Sequence, residues 1–339
     1  MALDLSKLSG IISYEPQELV LSARAGTPMA DIAHALREHR QHLAFEPPDW
    51  GPLFGHAPGR GTLGGILSCN ASGPRRLRAG AARDHFLGFT AINGRGEIFK
   101  AGGRVVKNVT GYDLPKLMAG AYGMLGVMNE LTLKTMPAPP DSATLIVHDL
   151  GDAGALRALR MAAASTLELS GLAHLPPGIA GARAQTLFRL EGPHTAVTER
   201  HSRLKILLQE FGSGETPGSE AASAMWRQIR DISFFVRDAQ PLWRISVPPA
   251  QAAEVSAQIG AEKYYYDWAG GLIWLLSGDV ITVRNAVTAT GGHATLFRAP
   301  DVLRRSIPVL HPQPAPLAAL EQRVRENFDP GRIFNPGRI

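Results

Sequence analysis

Apolar and polar residues alternate along ELVLSAR (18–24) and again along VMNELTLKT (127–135), the period of a half-buried strand. Between them Met29, Ile32, Ala33 and Leu36 fall at i, i+3, i+4 and i+7. A helix is predicted there, with Thr27 as its N-cap and Pro28 in the first helical position. FLGFTAIN (86–93) and EIFKA (97–101) flank an Asn93-Gly94 pair, which predicts a hairpin closed by a primed turn. MPAPP (136–140) reads as a linker. Beyond it the texture changes. The runs TLIVHDL (144–150), TLFRL (186–190), WRISVPP (243–249), KYYYDW (263–268), GLIWLL (271–276) and ATLFR (294–298) read as strands. Single helices alternate with them: one rich in Ala and Leu after residue 150, one through Leu204, Leu207 and Leu208, and others near 250–260 and 280–290. Such alternation predicts an α+β layer of ferredoxin-like type. The proline-rich stretch from Pro300 to Pro316 reads as a loop, followed by a short helix and the tail FDPGRIFNPGRI.

Composition narrows the function classes. The hydrophobic fraction is 45% over 339 residues, and 36 glycines with 25 prolines stay below the share that marks low complexity, so a packed core is expected. No apolar run reaches the roughly 18 residues of a membrane span, and Asp4 and Lys7 sit where a signal peptide needs apolar residues. The one cysteine, Cys69, cannot form an internal disulfide or ligate a zinc or iron–sulfur centre, which points to a reducing, cytoplasmic setting. The net charge is only +5, and no aromatic or helix-turn-helix pattern accompanies the basic run Arg75, Arg76 and Arg78. A small anion bound by those arginines is the favoured reading over nucleic acid.

Glycine is concentrated: 17 of the 36 lie between Gly51 and Gly126. Glycine lets backbone approach a ligand, so this region is the candidate cofactor cradle. Gly59-Arg60-Gly61-Thr62-Leu63-Gly64-Gly65 satisfies G-x-G-x-x-G, with Asp84 about twenty residues on. The segment before it, GPLFGHAP, lacks the continuous apolar strand that a Rossmann unit requires. Three readings stay open on the residues alone: a Rossmann turn, a plain Gly-rich loop, and a different phosphate cradle in which glycine amides and a helix start face a pyrophosphate.

The series PGRGTLGGILSCNASGPRR, RDHFLGFTAINGRGE, GGRVVKNVTGYDLPKL and GMLGVMNELTLK, in that order, resembles the FAD-binding domain of the vanillyl-alcohol-oxidase type. Within that family it is similar to the FAD-binding subunits of glycolate oxidase. The likeness extends to SGIISYEPQELVLSARAGTP, LWRISVP, GGHATLFR and FDPGRIFNPGR, and so covers the whole chain. It implies an α+β fold: an FAD-binding domain over 1–140, an α+β cap or substrate domain over 141–298, and a C-terminal segment, 299–339, returning to the first.

The resemblance also implies roles. Gly59, Gly61, Thr62, Leu63, Gly64 and Gly65 match the loop along the FAD pyrophosphate, and Gly73 and Asp84 match the turn and strand start after it. Gly120, Gly123, Gly126 and Val127 match the segment on the adenine side, Asn108, Gly111, Tyr112 and Asp113 a motif near the flavin, and Asn335 and Pro336 the closing motif. Relatives carry a further strand pair and a first Gly-rich loop ahead of the position where this sequence starts. The expectation is that half of the pyrophosphate cradle is missing and that FAD binding is weakened. No catalytic residue and no metal site is implied, because the histidine signature with which flavin hydroxy-acid dehydrogenases bind substrate and metal is absent.

The function implied is oxidation of a small 2-hydroxy acid, glycolate to glyoxylate. Electrons would pass to a sister flavin subunit and an iron–sulfur subunit, in the cytoplasm or at the inner membrane face through that complex. Two alternatives are a noncatalytic scaffold of the same complex with little or no FAD, and an anion-binding module built on Arg75, Arg76 and Arg78.

Overall fold

The computed structural model describes residues 3–104 and 111–336, and the chain divides into two compact units. The first comprises Met1–Gly73, Ala79–Ala138 and Gln313–Ile339, the second Pro74–Arg78 and Pro139–Pro312. The chain passes between them at residues 73–74, 78–79, 138–139 and 312–313. Residues 299–312 extend the second unit. There the Leu296 amide donates to Val309 O at 2.9 Å, and Arg284 Nη2 donates to Pro308 O at 2.8 Å.

The first unit is built on a five-stranded antiparallel sheet in the order β1-β2-β6-β4-β5. Its strands are β1 (Ile11–Glu15), β2 (Val20–Arg24), β4 (Phe86–Ile92), β5 (Ile98–Gly102) and β6 (Val127–Lys134). The two-residue strands β3 (Gln41–His42) and β7 (Met136–Pro137) pair separately. Alternation in β6 turns Leu131 and Leu133 inward, and the register shift between the Thr90–Glu130 and Ala91–Met128 pairs turns Met128 inward as well. Helix α1 (Met29–Glu38) adds Ile32 and Leu36 to that core, α2 (Leu63–Ser68) adds Leu63, Ile66 and Leu67, and, beyond the single turn α3 (Arg76–Ala79), α4 (Leu114–Met118) adds Met118. A six-residue helix is far too short to persist alone. Burial of three large aliphatic side chains, each contributing about 1.5–3 kcal/mol, is what holds α2.

Three local expectations are corrected in this unit. Thr27 is not the N-cap of α1: its hydroxyl donates to Arg24 O (2.7 Å) and accepts from the Gly10 amide (3.0 Å), and Pro28 takes the cap position. The β4–β5 hairpin forms, but Asn93-Gly94 is not a two-residue primed turn. The loop closes between Asn93 and Glu97, with Asn93 Oδ1 accepting from the Arg95 and Glu97 amides and the positive φ, +79°, at Gly96. Pro300–Pro316 is a loop only in part: α10 (Asp301–Ser306) and the start of α11 (Ala315–Phe328) lie in it, with irregular backbone over 307–314 between them. Pro300 and Pro314 occupy N-cap positions, where a missing amide costs nothing. Val324 and Phe328 of α11 then pack on the first unit's core, and the Gly94 amide donates to Phe328 O at 2.8 Å.

The second unit holds the expected ferredoxin-like layer in two copies. The first β-α-β-β-α-β run is β8 (Asp141–His148), α5 (Asp152–Ala163), β9 (Gly171–Leu175), β10 (Gln185–Gly192), α6 (His194–Leu207) and β11 (Gly214–Glu215). The second is β12 (Leu242–Ser246), α8 (Ala252–Ile259), β13 (Tyr264–Asp267), β14 (Leu272–Leu276), α9 (Val280–Thr288) and β15 (His293–Arg298). Together they form one eight-stranded sheet, β11-β8-β10-β9-β13-β14-β12-β15, antiparallel throughout. Helices α5, α6, α8 and α9 share one core with a single face of it. Helix α7 (Ser219–Asp231), between the copies, packs on the other face, where Trp226 Nε1 donates to Thr144 Oγ1 at 3.0 Å.

Candidate functional site

The Gly-rich loop is stitched to the turn between β2 and α1. Met29 N donates to Gly61 O (2.9 Å), Leu63 N to Thr27 O (3.0 Å) and Gly64 N to Ala25 O (2.8 Å). Thr62, in extended conformation, caps α2 by accepting from the Gly65 amide at 3.3 Å. At the other end Gly59 N donates to Asp49 Oδ2 at 2.7 Å. Among the described residues, the amides of Gly61 and Thr62 enter no hydrogen bond. Two adjacent donors next to a helix start suit an anionic oxygen.

The four glycines of the loop divide into two kinds. A Cβ on Gly64 would lie 2.9 Å from Ala25 Cβ and 3.0 Å from Ala25 O, so this glycine lets α2 close on the β2–α1 turn. Gly61 and Gly65 meet almost nothing: Met29 Cγ at 4.0 Å for the first, Thr62 Oγ1 at 3.3 Å for the second. Gly59 has φ +76° and open space around it. No backbone contact requires glycine at 61 or 65, whereas a ligand lying along the loop would. The residues present therefore fit a pyrophosphate approached by backbone, with Gly64 and Leu63 as the support beneath.

The other sequence-predicted residues do not all join this loop. Gly120 N donates to Leu67 O (3.1 Å) and Tyr122 N to Ser68 O (2.8 Å), so the 120–123 segment satisfies carbonyls at the far end of α2, about 9 Å along its axis. Gly120 and Gly123 have φ of +86° and +71°. Asn335 Nδ2 donates to Tyr122 O at 2.7 Å and would stand 3.0 Å from a Cβ on Gly123, so the closing motif clamps this segment. Gly126 and Val127 are architectural: a Cβ on Gly126 would lie 2.9 Å from Ile92 O, and Val127 pairs with Ile92 at the start of β6. Gly73 N donates to Phe45 O (3.0 Å), and Asp84 accepts from the Ala81 amide (2.8 Å) within a short 3₁₀ turn. Tyr112 is exposed, and Asp113 pairs with Lys116 at 3.3 Å. Asn108 lies outside the described residues.

Cys69 closes α2, and burial pushes its thiol up to about 11. The arginine run does not act together. Arg75 makes a two-pronged bond to Glu191 (2.8 and 2.6 Å), Arg78 pairs with Glu168, and Arg76 lies over the Trp268 ring at 4.4 Å. An anion site made of all three is thereby corrected, because two are committed to carboxylates of the same unit. Sequence reading missed Asn70, whose left-handed backbone (φ +47°) and Oδ1, accepting from Arg83 N at 2.9 Å, shape the turn after α2. It also missed the pairing of Trp268 with distant arginines. The signal for such contacts is non-local and absent from any local motif. Among the described residues no group of three or more His, Cys, Asp or Glu side chains could hold a metal, and no helix is long and apolar enough to cross a membrane.

Comparison with known proteins bears on the same loop. The family model described as "FAD binding domain" matches residues 1–102. The glycolate oxidase subunit GlcE of Escherichia coli (strain K12) is 34% identical over 340 residues, covering 99% of this chain and 86% of that protein. A D-lactate dehydrogenase of Anaerostipes hadrus is 36% identical over 145 residues, 43% of this chain and 29% of that protein. Among solved structures, an alkyldihydroxyacetonephosphate synthase superposes with a TM-score of 0.68 at 13% identity, over 98% of this chain and 66% of that one, which speaks to the fold.

Proposed function

Because the chain belongs to the FAD-binding oxidoreductase family of the glycolate oxidase subunit GlcE, we propose that it serves as the FAD-carrying subunit of a complex that oxidises glycolate to glyoxylate. The supporting observation is the Gly59–Gly65 loop, with open faces at Gly61 and Gly65 and two adjacent amides, of Gly61 and Thr62, free to bond pyrophosphate oxygens. Bound FAD supplies the hydride acceptor. The chain's own residues hold and orient: Thr62 fixes the start of α2, Gly64 seats it, and Asn335 with Gly123 fixes the segment at its other end.

Onward transfer of electrons belongs to partners in this reading, namely a sister flavin subunit and an iron–sulfur subunit. The only cysteine, Cys69, is half-buried with its thiol held at about 11, and one thiol falls short of the four that an iron–sulfur cluster takes. A cytoplasmic site of action, with any membrane contact made through those partners, is part of the same proposal. The experiment is to purify the chain, record the visible flavin band, and add glycolate anaerobically to the assembled complex. Bleaching of a band carried by this chain is expected. A colourless chain, or a band that glycolate leaves unchanged, refutes the reading.

A further inference from the structure

The Asn93-Gly94 pair carries a chemistry that neither the hairpin nor the cradle uses. In an Asn-Gly sequence the glycine amide nitrogen can attack the asparagine side-chain carbonyl carbon, because glycine puts no side chain in the way and leaves the backbone free to turn. A bond forms from Gly94 N to Asn93 Cγ, and the Cγ–Nδ2 bond breaks. The Gly94 amide proton is lost to base, and the departing nitrogen takes one from water and leaves as ammonia. Water then opens the cyclic imide at either carbonyl, to aspartate or to isoaspartate. No oxidant, cofactor or second enzyme is needed.

Within the first unit both reacting groups are held away from that step. The Gly94 amide is committed to Phe328 O of α11 at 2.8 Å. The Asn93 side chain is pinned at both ends: Oδ1 accepts from the Arg95 and Glu97 amides at 2.9 and 3.0 Å, and Nδ2 donates to Glu97 Oε2 at 2.8 Å. Arg95 Nη1 donates to Asn327 O at 2.6 Å, so the turn grips two successive carbonyls of α11. Asp329 crowds the same place, its Cα 2.7 Å from where a Cβ on Gly94 would lie. The helix is seated at this end by Phe328, whose ring lies 5.7 Å from that of Phe99, while Leu317 and Leu320 in its first half are exposed. For the attack, Gly94 N must give up its bond to α11 and Asn93 Cγ must swing out of its three bonds. Reaction therefore proceeds from a state with α11 lifted off, and its rate follows the population of that state.

We propose that Asn93 is a deamidation site kept closed by α11, and that its conversion unlocks the helix. Both products work in that direction. Isoaspartate adds a methylene to the main chain, about 1.5 Å of extra length ahead of Gly94 N, which the 2.8 Å bond to Phe328 O cannot absorb. Aspartate puts an anionic oxygen where Nδ2 stood as a donor, facing Glu97 Oε2. The tail beyond α11 follows the helix. Asp329 accepts from the Ile333 and Phe334 amides at 3.0 and 2.8 Å, and Asn335 Nδ2 donates to Tyr122 O at 2.7 Å, so release of α11 also frees the 120–123 segment. Opening permits the modification, and the modification then keeps the helix open.

The test is to age the full-length protein in mildly alkaline buffer and follow Asn93 by peptide mass spectrometry and an isoaspartate assay, with native and urea-unfolded chains side by side. The native rate is expected to lie at least about a hundredfold below the unfolded one, because opening limits it. Phe328→Ala removes the anchor of α11 and leaves the Asn-Gly pair intact, so it should raise the native rate about tenfold or more. Arg95→Ala, an exposed change that removes one tether, should raise it severalfold. The fully converted chain and Asn93→Asp should both show the 313–330 region open to limited proteolysis. A native rate equal to the unfolded one overturns the gate, as does an unchanged rate in both folded variants; where Phe328→Ala fails to fold, Arg95→Ala decides alone. The parent digestion pattern in the converted chain overturns the unlocking.

Discussion

Gly64 and Gly65 are neighbours in one helix, yet the structure assigns them opposite consequences on substitution. Alanine at 64 places a methyl 2.9 Å from Ala25 Cβ and 3.0 Å from Ala25 O, inside contact distance of a backbone that cannot swing away. Such overpacking costs about 1–3 kcal/mol. Pushing α2 outward also stretches the 2.8 Å bond from Gly64 N to Ala25 O, a further loss of about 0.5–1.5 kcal/mol. The expected destabilisation of the first unit is therefore ~2–4 kcal/mol, which at about 2–4 °C per kcal/mol lowers its melting temperature by roughly 5–15 °C.

Alanine at 65 meets only Thr62 Oγ1 at 3.3 Å. Replacing a helical glycine by alanine contributes up to about 1 kcal/mol of stability, so the ligand-free protein should melt at or slightly above the parent temperature. Its methyl would project into the open face proposed to take the pyrophosphate, so flavin retention should fall. Thermal melting of FAD-stripped protein and the flavin-to-protein absorbance ratio read the two effects independently. A Gly64→Ala variant as stable as the parent, or a Gly65→Ala variant that keeps its full complement of FAD, would refute the division of roles.

Other predictions follow from single contacts. Gly94→Ala places a methyl 2.7 Å from Asp329 Cα, so it should release α11 and open the 313–330 region to limited proteolysis; an unchanged digestion pattern contradicts this. Burial alone would raise the Glu191 carboxyl, but the Arg75 hydrogen bonds and the Arg189 and Arg75 charges bring it down to about 2. Its folded value is depressed, so its contribution, ~3 kcal/mol, is present above about pH 4.5 and lost as pH falls toward 2. Glu191→Gln should flatten the acid limb of the second unit's unfolding profile, and an acid limb parallel to the parent's would count against it. Cys69, with its thiol held at about 11, should resist iodoacetamide in the folded protein and react after unfolding in urea. Fast modification of the native form would show the helix end to be open.

Much of the chain's order of elements was legible because each strand and helix carries its own period. The alternation of β6, the Ile32–Leu36 face of α1 and the six strands after residue 140 all appear where pattern predicts them. Strand β9 was not legible: GLAHL is buried on both faces, so its residues do not alternate. Helix α7, SEAASAMWRQIRD, went unpredicted although its apolar positions Ala222, Trp226 and Ile229 keep helical spacing. Asn93-Gly94 misled in an instructive way. Glycine is needed at 94 because Asp329, 235 positions later, lies against it, and a local turn rule has no access to that contact. The same limit applies to the cradle, where pattern identified Gly59–Gly65 but could not distinguish the glycine that packs from those that face open space.

The doubling of the ferredoxin-like unit raises a physical question of its own: what joins the halves. Along the seam between β9 and β13 the ladder registers one residue pair, His174 with Tyr266, whereas the neighbouring β13–β14 ladder registers four. Side chains supply what the backbone does not. Tyr264 and Tyr266 both donate to Asp152 Oδ2, at 2.7 and 2.6 Å, and His174 Nε2 lies 3.4 Å from Asp152 Oδ1. His174 is fully buried, with Thr186 Oγ1 3.0 Å from its Nδ1 and its ring stacked on Tyr266. Burial opposes ionisation of Asp152, but the bonds from His174, Tyr266 and Tyr264 hold its carboxyl below the usual range. Burial first, then Asp152, keeps both phenols protonated and donating. Asp152 stands in the first turn of α5, where the helix dipole favours a negative charge. One carboxylate from the first copy thus gathers two tyrosines of the second. This buried network fixes the relative register of the two halves across a seam that one backbone pair alone would leave free to slip.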